Sequence, residues 1–289
     1  MTVQRYQRAS YFRSALEERV NRMAREKGSD PMRIRRKVAF DRFLIRLLQL
    51  REDWLVVKGG YALELRMERA RATKDIDLSI RNHFSLDSER SNPRSEQIRQ
   101  KLQEAMTSSL DDFFVFTVGQ AVLNLENAPY GGYRFPVEAK LAGRVFIKFD
   151  VDVAFGDVWL APHEKIVAAD WLGFAGFAPL EIPLISKEQQ FAEKLHAYTL
   201  PRERTNSRVK DLVDMVLILE TGALDTEIAV AALRQTFDRR GTHPLPTLIP
   251  DPPEIWKRPF EVMIHELGYN VSLREAVEKV RGYWETLGF

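Results

Sequence analysis

Asp75 and Asp77 are one residue apart, in the run Thr73-Lys74-Asp75-Ile76-Asp77-Leu78. In an extended strand, residues i and i+2 face the same way, so both carboxylates point to one side. Two adjacent carboxylates repel each other unless a cation joins them. A hard divalent ion such as Mg²⁺ binds a few carboxylates together with substrate phosphates and water. Upstream, and separated from Asp75 by fourteen residues, lies Lys58-Gly59-Gly60. Glycines let a chain turn sharply and approach a ligand closely, and the amides at a following helix N-terminus attract anions. A glycine turn, a helix and then an Asp pair predict metal-assisted phosphoryl or nucleotidyl transfer. A third carboxylate is expected on a neighbouring strand. Lys148-Phe149-Asp150-Val151-Asp152-Val153 offers two, with Asp152 the first choice as metal ligand and Asp150 the second. Asp157, after Gly156, is assigned to a turn. No Walker A loop is present.

The elements that would position these groups follow from periodicity. Helical patterns cover residues 11–27 and 32–50, separated by Gly28-Ser29-Asp30-Pro31. The apolar run 54–57 is a short buried strand, Gly59 and Gly60 make a tight turn, and Tyr61–Met67 is a helix. Asp75–Ile80 is a second strand, with Ile76 and Leu78 facing the core. Residues 94–110 read as a helix, and Phe113–Leu125, Gly132–Ala142 and Val145–Phe155 as three strands. From Lys187 the chain turns helical, with Phe191, Leu195 and Tyr198 on one stripe and Val209, Leu212, Val213, Val216 and Leu217 on another. Residues 225–237 and 272–287 are further helices. The run 241–259 holds six prolines and reads as an irregular connection. These patterns predict an α+β chain, with a mixed sheet and its helices over 1–185 and a helical domain over 186–289.

Composition bounds the rest. The 289 residues are 45% hydrophobic and 29% charged, ordinary for a globular protein. Cysteine is absent, which excludes disulfides, thiolate zinc sites and a cysteine nucleophile. No secretory signal or 18-residue apolar stretch is visible, so a cytoplasmic protein without membrane contact is expected. Net charge is +2, yet residues 1–50 carry +8 and the remainder −6. That asymmetry suggests an anionic partner near the N-terminus, against the simpler reading of a solvated helix face.

Four segments, taken in order, resemble the AbiEii/AbiGii family of nucleotidyltransferase toxins. They are Lys58-Gly59-Gly60, Arg71-Ala72-Thr73-Lys74-Asp75-Ile76-Asp77, Asp152-Val153-Ala154-Phe155-Gly156-Asp157 and Arg208-Val209-Lys210-Asp211-Leu212-Val213-Asp214. The first is shared with the whole polymerase-β-like superfamily; the last, on a helix, points to this family of toxin–antitoxin and abortive-infection systems. The resemblance implies a nucleotidyltransferase fold. It implies that Asp75, Asp77 and Asp152 bind Mg²⁺ as a two-metal site, and that Gly59, Gly60 and Thr73 contact NTP phosphates. Lys194 matches a lysine placed at the nucleotide, and Asp211 an acidic residue of the last motif. An antitoxin partner is implied, as is RNA, with the 3′ acceptor end of tRNA as the target.

Read from the residues alone, several roles stay open. Lys194 is either a cation reaching over a cleft edge towards a triphosphate or a surface lysine. Asp211 could orient Lys194, while Arg208 and Lys210 could contact phosphate; Lys210 could equally pair with Asp214 at i,i+4. Arg71 is matched with Asp77 or a phosphate, and Asp152 is the candidate general base. Arg202, Arg204, Arg208, Lys210 and the basic N-terminal helices could line an RNA groove. The five histidines, His83, His163, His196, His243 and His265, show no metal-ligand spacing, and His196 is assigned a structural role. Trp256 and Trp284 are assigned to the core rather than to base stacking. A small-molecule, aminoglycoside-like nucleotidyltransferase and an NTP-dependent phosphotransferase are the alternatives within the same site. A nucleotide-binding module without turnover is the alternative outside it.

Overall fold

A computed structural model describes residues 6–50, 54–80, 93–125, 128–160, 163–201 and 208–289. The chain forms two compact units. The first gathers Met1–Val57, Thr73–Gly156 and Lys165–Pro183; the second gathers Lys58–Ala72, Asp157–Glu164 and Leu184–Phe289.

The first unit opens with α1 (Ala9–Lys27), which buries Phe12, Leu16, Val20 and Ala24 at a spacing of four. Gly28 ends it in the left-handed conformation at φ +58, its amide donating back to Ala24 and Arg25. Pro31 starts α2 (Pro31–Leu50) at a position where no amide hydrogen is needed, and Asp30 accepts from the Met32 amide. Phe40 and Phe43 of α2 pack edge-on to Phe149.

Those rings lie against a mixed sheet. Its strands are β1 (Leu55–Lys58), β2 (Asp75–Ile80), β3 (Phe114–Val118), β4 (Leu123–Asn124), β5 (Gly132–Leu141), β6 (Arg144–Phe155), β7 (Glu164–Val167) and β8 (Glu181–Leu184). Their order is β3-β5-β6-β2-β1-β8-β7, with β4 beside β5. β2 and β6 run parallel, whereas β5 is antiparallel to both β6 and β3. Ala142 and Gly143 close the β5–β6 hairpin with φ of 51° and 72°. Two positive φ values match the twist of the flanking strands.

The structure departs from the expected elements in several places. The strand expected over 113–125 is broken, because residues 118 to 123 run beside only residues 137 to 134 of β5, and the surplus residues bulge out. The helix expected over 94–110 is α4 (Arg94–Ala105). Beyond it Asp111 and Phe113 take positive φ, and Asp112 turns inward to bind Arg42 and Arg46. The short strands β7 and β8 were not anticipated. Gly59 and Gly60 begin a helix, α3 (Gly59–Arg66), rather than forming a separate turn, with Gly59 at φ +63.

Besides α3, the second unit holds α5 (Lys187–Thr199), α6 (Val209–Glu220), α7 (Thr226–Arg240), α8 (Lys257–Glu266) and α9 (Leu273–Thr286). Side-chain caps begin three of them: Ser186 for α5, Asp225 for α7, and the Ser272–Glu275 capping box for α9. α6 is the core helix, burying Leu212, Val213, Met215, Val216, Leu217 and Ile218. Trp256 and Trp284 are 3% and 4% exposed and belong to this core, so neither presents a face for a base. The proline-rich run is irregular only to Pro253. A 3-10 turn over Glu254–Trp256 then leads into α8, whose first turn accepts Pro259 without losing a hydrogen bond. Among the described residues no helix is long and apolar enough to cross a membrane.

Candidate active site

In the sheet unit, β2 alternates between half-buried Asp75 and Asp77 and fully buried Ile76 and Leu78. Its parallel partner β6 sets Asp150 directly beside Asp75, and Asp152 directly beside Asp77. Residues paired across a ladder share a face, and so do residues i and i+2. Four carboxylates therefore stand on one face, in two rows. The row of Asp77 and Asp152 continues onto β5, where Arg134 is the cross-strand partner of Asp152.

Arg134 holds this group together. Its Nε and Nη2 donate to the two oxygens of Asp152, both at 2.7 Å, and Nη2 also donates to Asp75 Oδ2 at 3.3 Å. The fork from Asp152 keeps the Arg134 guanidinium firmly protonated, with Asp75 and Asp150 adding to the effect. Asp150 is pushed up from the ordinary carboxylate range by burial, and by Asp152 and Asp75 against the opposing pull of Arg134. Thr73 Oγ1 donates to Asp75 Oδ1 at 2.6 Å and fixes that carboxylate. Thr73 is 4% exposed.

As these side chains stand, no trio of His, Asp or Glu among the described residues is gathered tightly enough to close round a metal ion. The donors nevertheless fit a hard divalent cation in kind: all are carboxylates, on one face, and already collected around a positive charge. Rotation about side-chain bonds is what separates the observed arrangement from a metal-holding one.

The helical unit holds charges of a different character. Lys58 Nζ lies 2.6 Å from Asp157 Oδ2 and 3.6 Å from Glu193 Oε2, and Arg240 stands 3.9 Å from each of the same two carboxylates. Burial and Arg240 pull the Lys58 ammonium down, but Asp157 and Glu193 outweigh them and raise it. Asp157 is thus an ion-pair partner and not simply a turn residue. The Gly59 carbonyl accepts from Gln190 Nε2 at 2.7 Å, tying the start of α3 to α5.

A second cluster centres on Lys194, whose ammonium sits between Asp211 at 2.9 Å and Asp214 at 2.8 Å. Burial opposes its charge, yet the two carboxylates raise it well above the usual lysine value. Asp214 is fully buried and also pairs with Arg71 at 3.1 Å. Burial raises Asp214, and Lys194 and Arg71 more than reverse that. Three expectations change here. Lys194 is held within an ion-pair cluster and does not reach freely over an edge. Asp214 serves Lys194 and Arg71, whereas Lys210 is exposed. Arg208 lies 3.6 Å from Asp211.

His196 is structural. Its Nδ1 faces Arg240 Nη1 at 3.3 Å and its Nε2 faces Thr242 Oγ1 at 2.9 Å. Arginine can only donate, so Nδ1 accepts and Nε2 carries the proton. Burial, helped by Arg240 and His243, pushes its pKa down to about 3. His83, Arg202 and Arg204 lie outside the described residues.

Much of the N-terminal positive charge is spent internally. Arg42 and Arg46 are buried on Asp112, Arg35 pairs with Glu17, and Arg13 donates to the carbonyls of Leu141, Arg144 and Val145. Sequence inspection missed Arg134, Asp214, Glu193 and Arg240. Arg134 in Tyr133-Arg134-Phe135 carries no motif, and only the β5–β6 register reveals it. Asp214 was visible as the last residue of the fourth motif.

Residues 42–283 match the family described as nucleotidyl transferase AbiEii toxin, type IV TA system. No curated protein sequence matches the chain. Among solved structures, it is similar to MenT4, a nucleotidyltransferase toxin from Mycobacterium tuberculosis H37Rv, with a TM-score of 0.53 and 20% identity over 93% of this chain and 97% of that one. JHP933 from Helicobacter pylori is also similar, with a TM-score of 0.44 and 14% identity over 87% of this chain and 96% of that one. The fold is thus that of a nucleotidyltransferase toxin, and by its family match this chain belongs to the AbiEii nucleotidyltransferase toxins of type IV toxin–antitoxin systems.

Proposed function

We propose that this chain transfers nucleotides from NTP to RNA in a Mg²⁺-dependent reaction, that the target is the 3′ acceptor end of tRNA, and that blocked translation is the result. A cognate antitoxin would restrain it in the cytoplasm. The observation that carries the catalytic part is the pair of carboxylate rows, Asp75 beside Asp150 and Asp77 beside Asp152.

Asp75, Asp77 and Asp152 are the residues that would hold the metal. When bound there, it would lower the pKa of the acceptor hydroxyl and neutralise charge on the leaving pyrophosphate. Thr73 keeps Asp75 in a single orientation through its 2.6 Å hydrogen bond. Gly59 and Gly60, at the start of α3, offer backbone amides suited to phosphate oxygens. Lys58, Arg71, Lys194, Arg208 and Lys210 supply fixed or exposed positive charge for the same anion. Asp211 would position Lys194. Use of Asp152 as the general base competes with the Arg134 fork, which engages both its oxygens.

The RNA part draws on family membership, on N-terminal cations that remain at the surface, such as Arg25, and on exposed Lys210 in the last motif. The test is incorporation of each α-labelled NTP into total tRNA with Mg²⁺, alongside Asp75→Ala. Label on tRNA with the unaltered chain alone is the expected result. If no NTP labels tRNA, the tRNA target is lost, and γ-label and small-molecule acceptors become the next substrates to test.

A further inference from the structure

We propose that Arg134 is a built-in competitor for the divalent cation, so that it sets the metal affinity of the carboxylate face. The proposal rests on the assignment of Asp75, Asp77 and Asp152 as metal ligands.

The guanidinium lies against two of the carboxylates that would hold a cation, Asp152 and Asp75. Four carboxylates share one face of β2 and β6, and Arg134 pairs with two of them, one on each strand. Its bidentate grip on Asp152 has the geometry of a strong charge-assisted pair. The side chain is 30% exposed, and its Asp152 partner 10%, so the pair is sheltered enough to matter and open enough to exchange. A carboxylate oxygen directed at Nη2 cannot also be directed at a metal ion along the same lone pair. An ion that Asp75 and Asp152 close on either takes lone pairs now directed at Arg134 or sits against its positive charge, and both work against the fork.

The cost of that exchange belongs to the metal-binding equilibrium. Removing the guanidinium while keeping a side chain of similar bulk, as in Arg134→Met, leaves the carboxylates repelling one another and ready for a cation. Arg134→Lys keeps the charge but loses the planar two-point grip.

Mn²⁺ titrated into the full chain, followed by calorimetry and by the loss of free-ion EPR signal, tests this without any catalytic readout. Arg134→Met is expected to bind Mn²⁺ at least tenfold more tightly than the unaltered chain, with Arg134→Lys in between. Lys165→Met, which removes one exposed charge from β7 at the far end of the strand order, is expected to stay within twofold. Equal or weaker Mn²⁺ binding by Arg134→Met overturns the proposal. If that happens while Asp75→Ala/Asp77→Ala abolishes binding, the metal assignment stands and the competition alone falls. If neither the unaltered chain nor Arg134→Met binds Mn²⁺, both fall together.

Discussion

The two units handle charge in opposite ways. On the face of β2 and β6, four carboxylates stand together, and Arg134 pairs with two of them, Asp75 and Asp152. In the helical unit each cluster brings cations to its carboxylates: Lys58 and Arg240 stand against Asp157 and Glu193, and Lys194, Arg71 and Arg208 against Asp211 and Asp214. Carboxylates crowded on one face repel one another and have capacity for a cation. Buried pairs are costly to break. The first arrangement suits a reacting centre, and the second fixes the position of its members.

That contrast can be broken by experiment, starting with the largest expected change in stability. Asp214→Ala leaves Lys194 and Arg71 with less compensation in a buried setting and should cost about 3–5 kcal/mol in urea unfolding. A cost below about 1 kcal/mol would place Asp214 with the surface pairs instead.

Acid should come next. His196 folds with its pKa lowered to about 3, so its neutral form is favoured in the folded state. Between pH 3 and the unfolded value near 6.5, the unfolded chain binds the extra proton. Its stabilising contribution is therefore complete above pH ~6.5 and is lost as pH falls through the folded value. Over that window the stability of the unaltered chain should fall with acid by up to one proton's slope, about 1.4 kcal/mol per pH unit, more steeply than that of His196→Gln. Parallel pH profiles from urea midpoints would assign the slope to carboxylates instead.

A smaller effect is expected at the β5–β6 turn. Ala142 takes φ 51°, a conformation that penalises a Cβ, and Ala142→Gly should raise stability by about 0.5–1 kcal/mol. A fall in melting temperature would contradict the turn geometry.

The smallest change in stability is expected where the largest loss of activity is. Asp77→Ala removes one of the crowded carboxylates, so it should shift stability by less than about 0.5 kcal/mol while abolishing nucleotide transfer. A variant both stable and fully active would remove Asp77 from the chemistry.

Several parts of this arrangement were legible from residue order. Asp75-Ile76-Asp77-Leu78 alternates so strictly that both the strand and its buried face could be read directly. The Gly28 stop and the apolar stripe of α6 were equally plain. Weaker local signals were lost. β7 and β8 have four residues each, too few to show a period, and α8 hid behind prolines that normally mark a break. Local charge was only partly legible: an N-terminal +8 suggests an anionic partner, and two of its arginines, Arg42 and Arg46, are engaged instead by Asp112, some 70 residues away.

The sequence by itself determined which residues alternate, which helices are amphipathic, and that an Asp pair follows a glycine-started helix, because these depend on neighbours within a few positions. Only the tertiary structure decided which charges meet. Arg134 reaches Asp152 because β5 and β6 pair in one register, and a slip of one residue would turn it to the other face. Lys194 meets Asp211 and Asp214 because α5 and α6 pack together around their apolar stripes. Electrostatic partnership depends on distance and burial in three dimensions, which spacing along the chain does not encode.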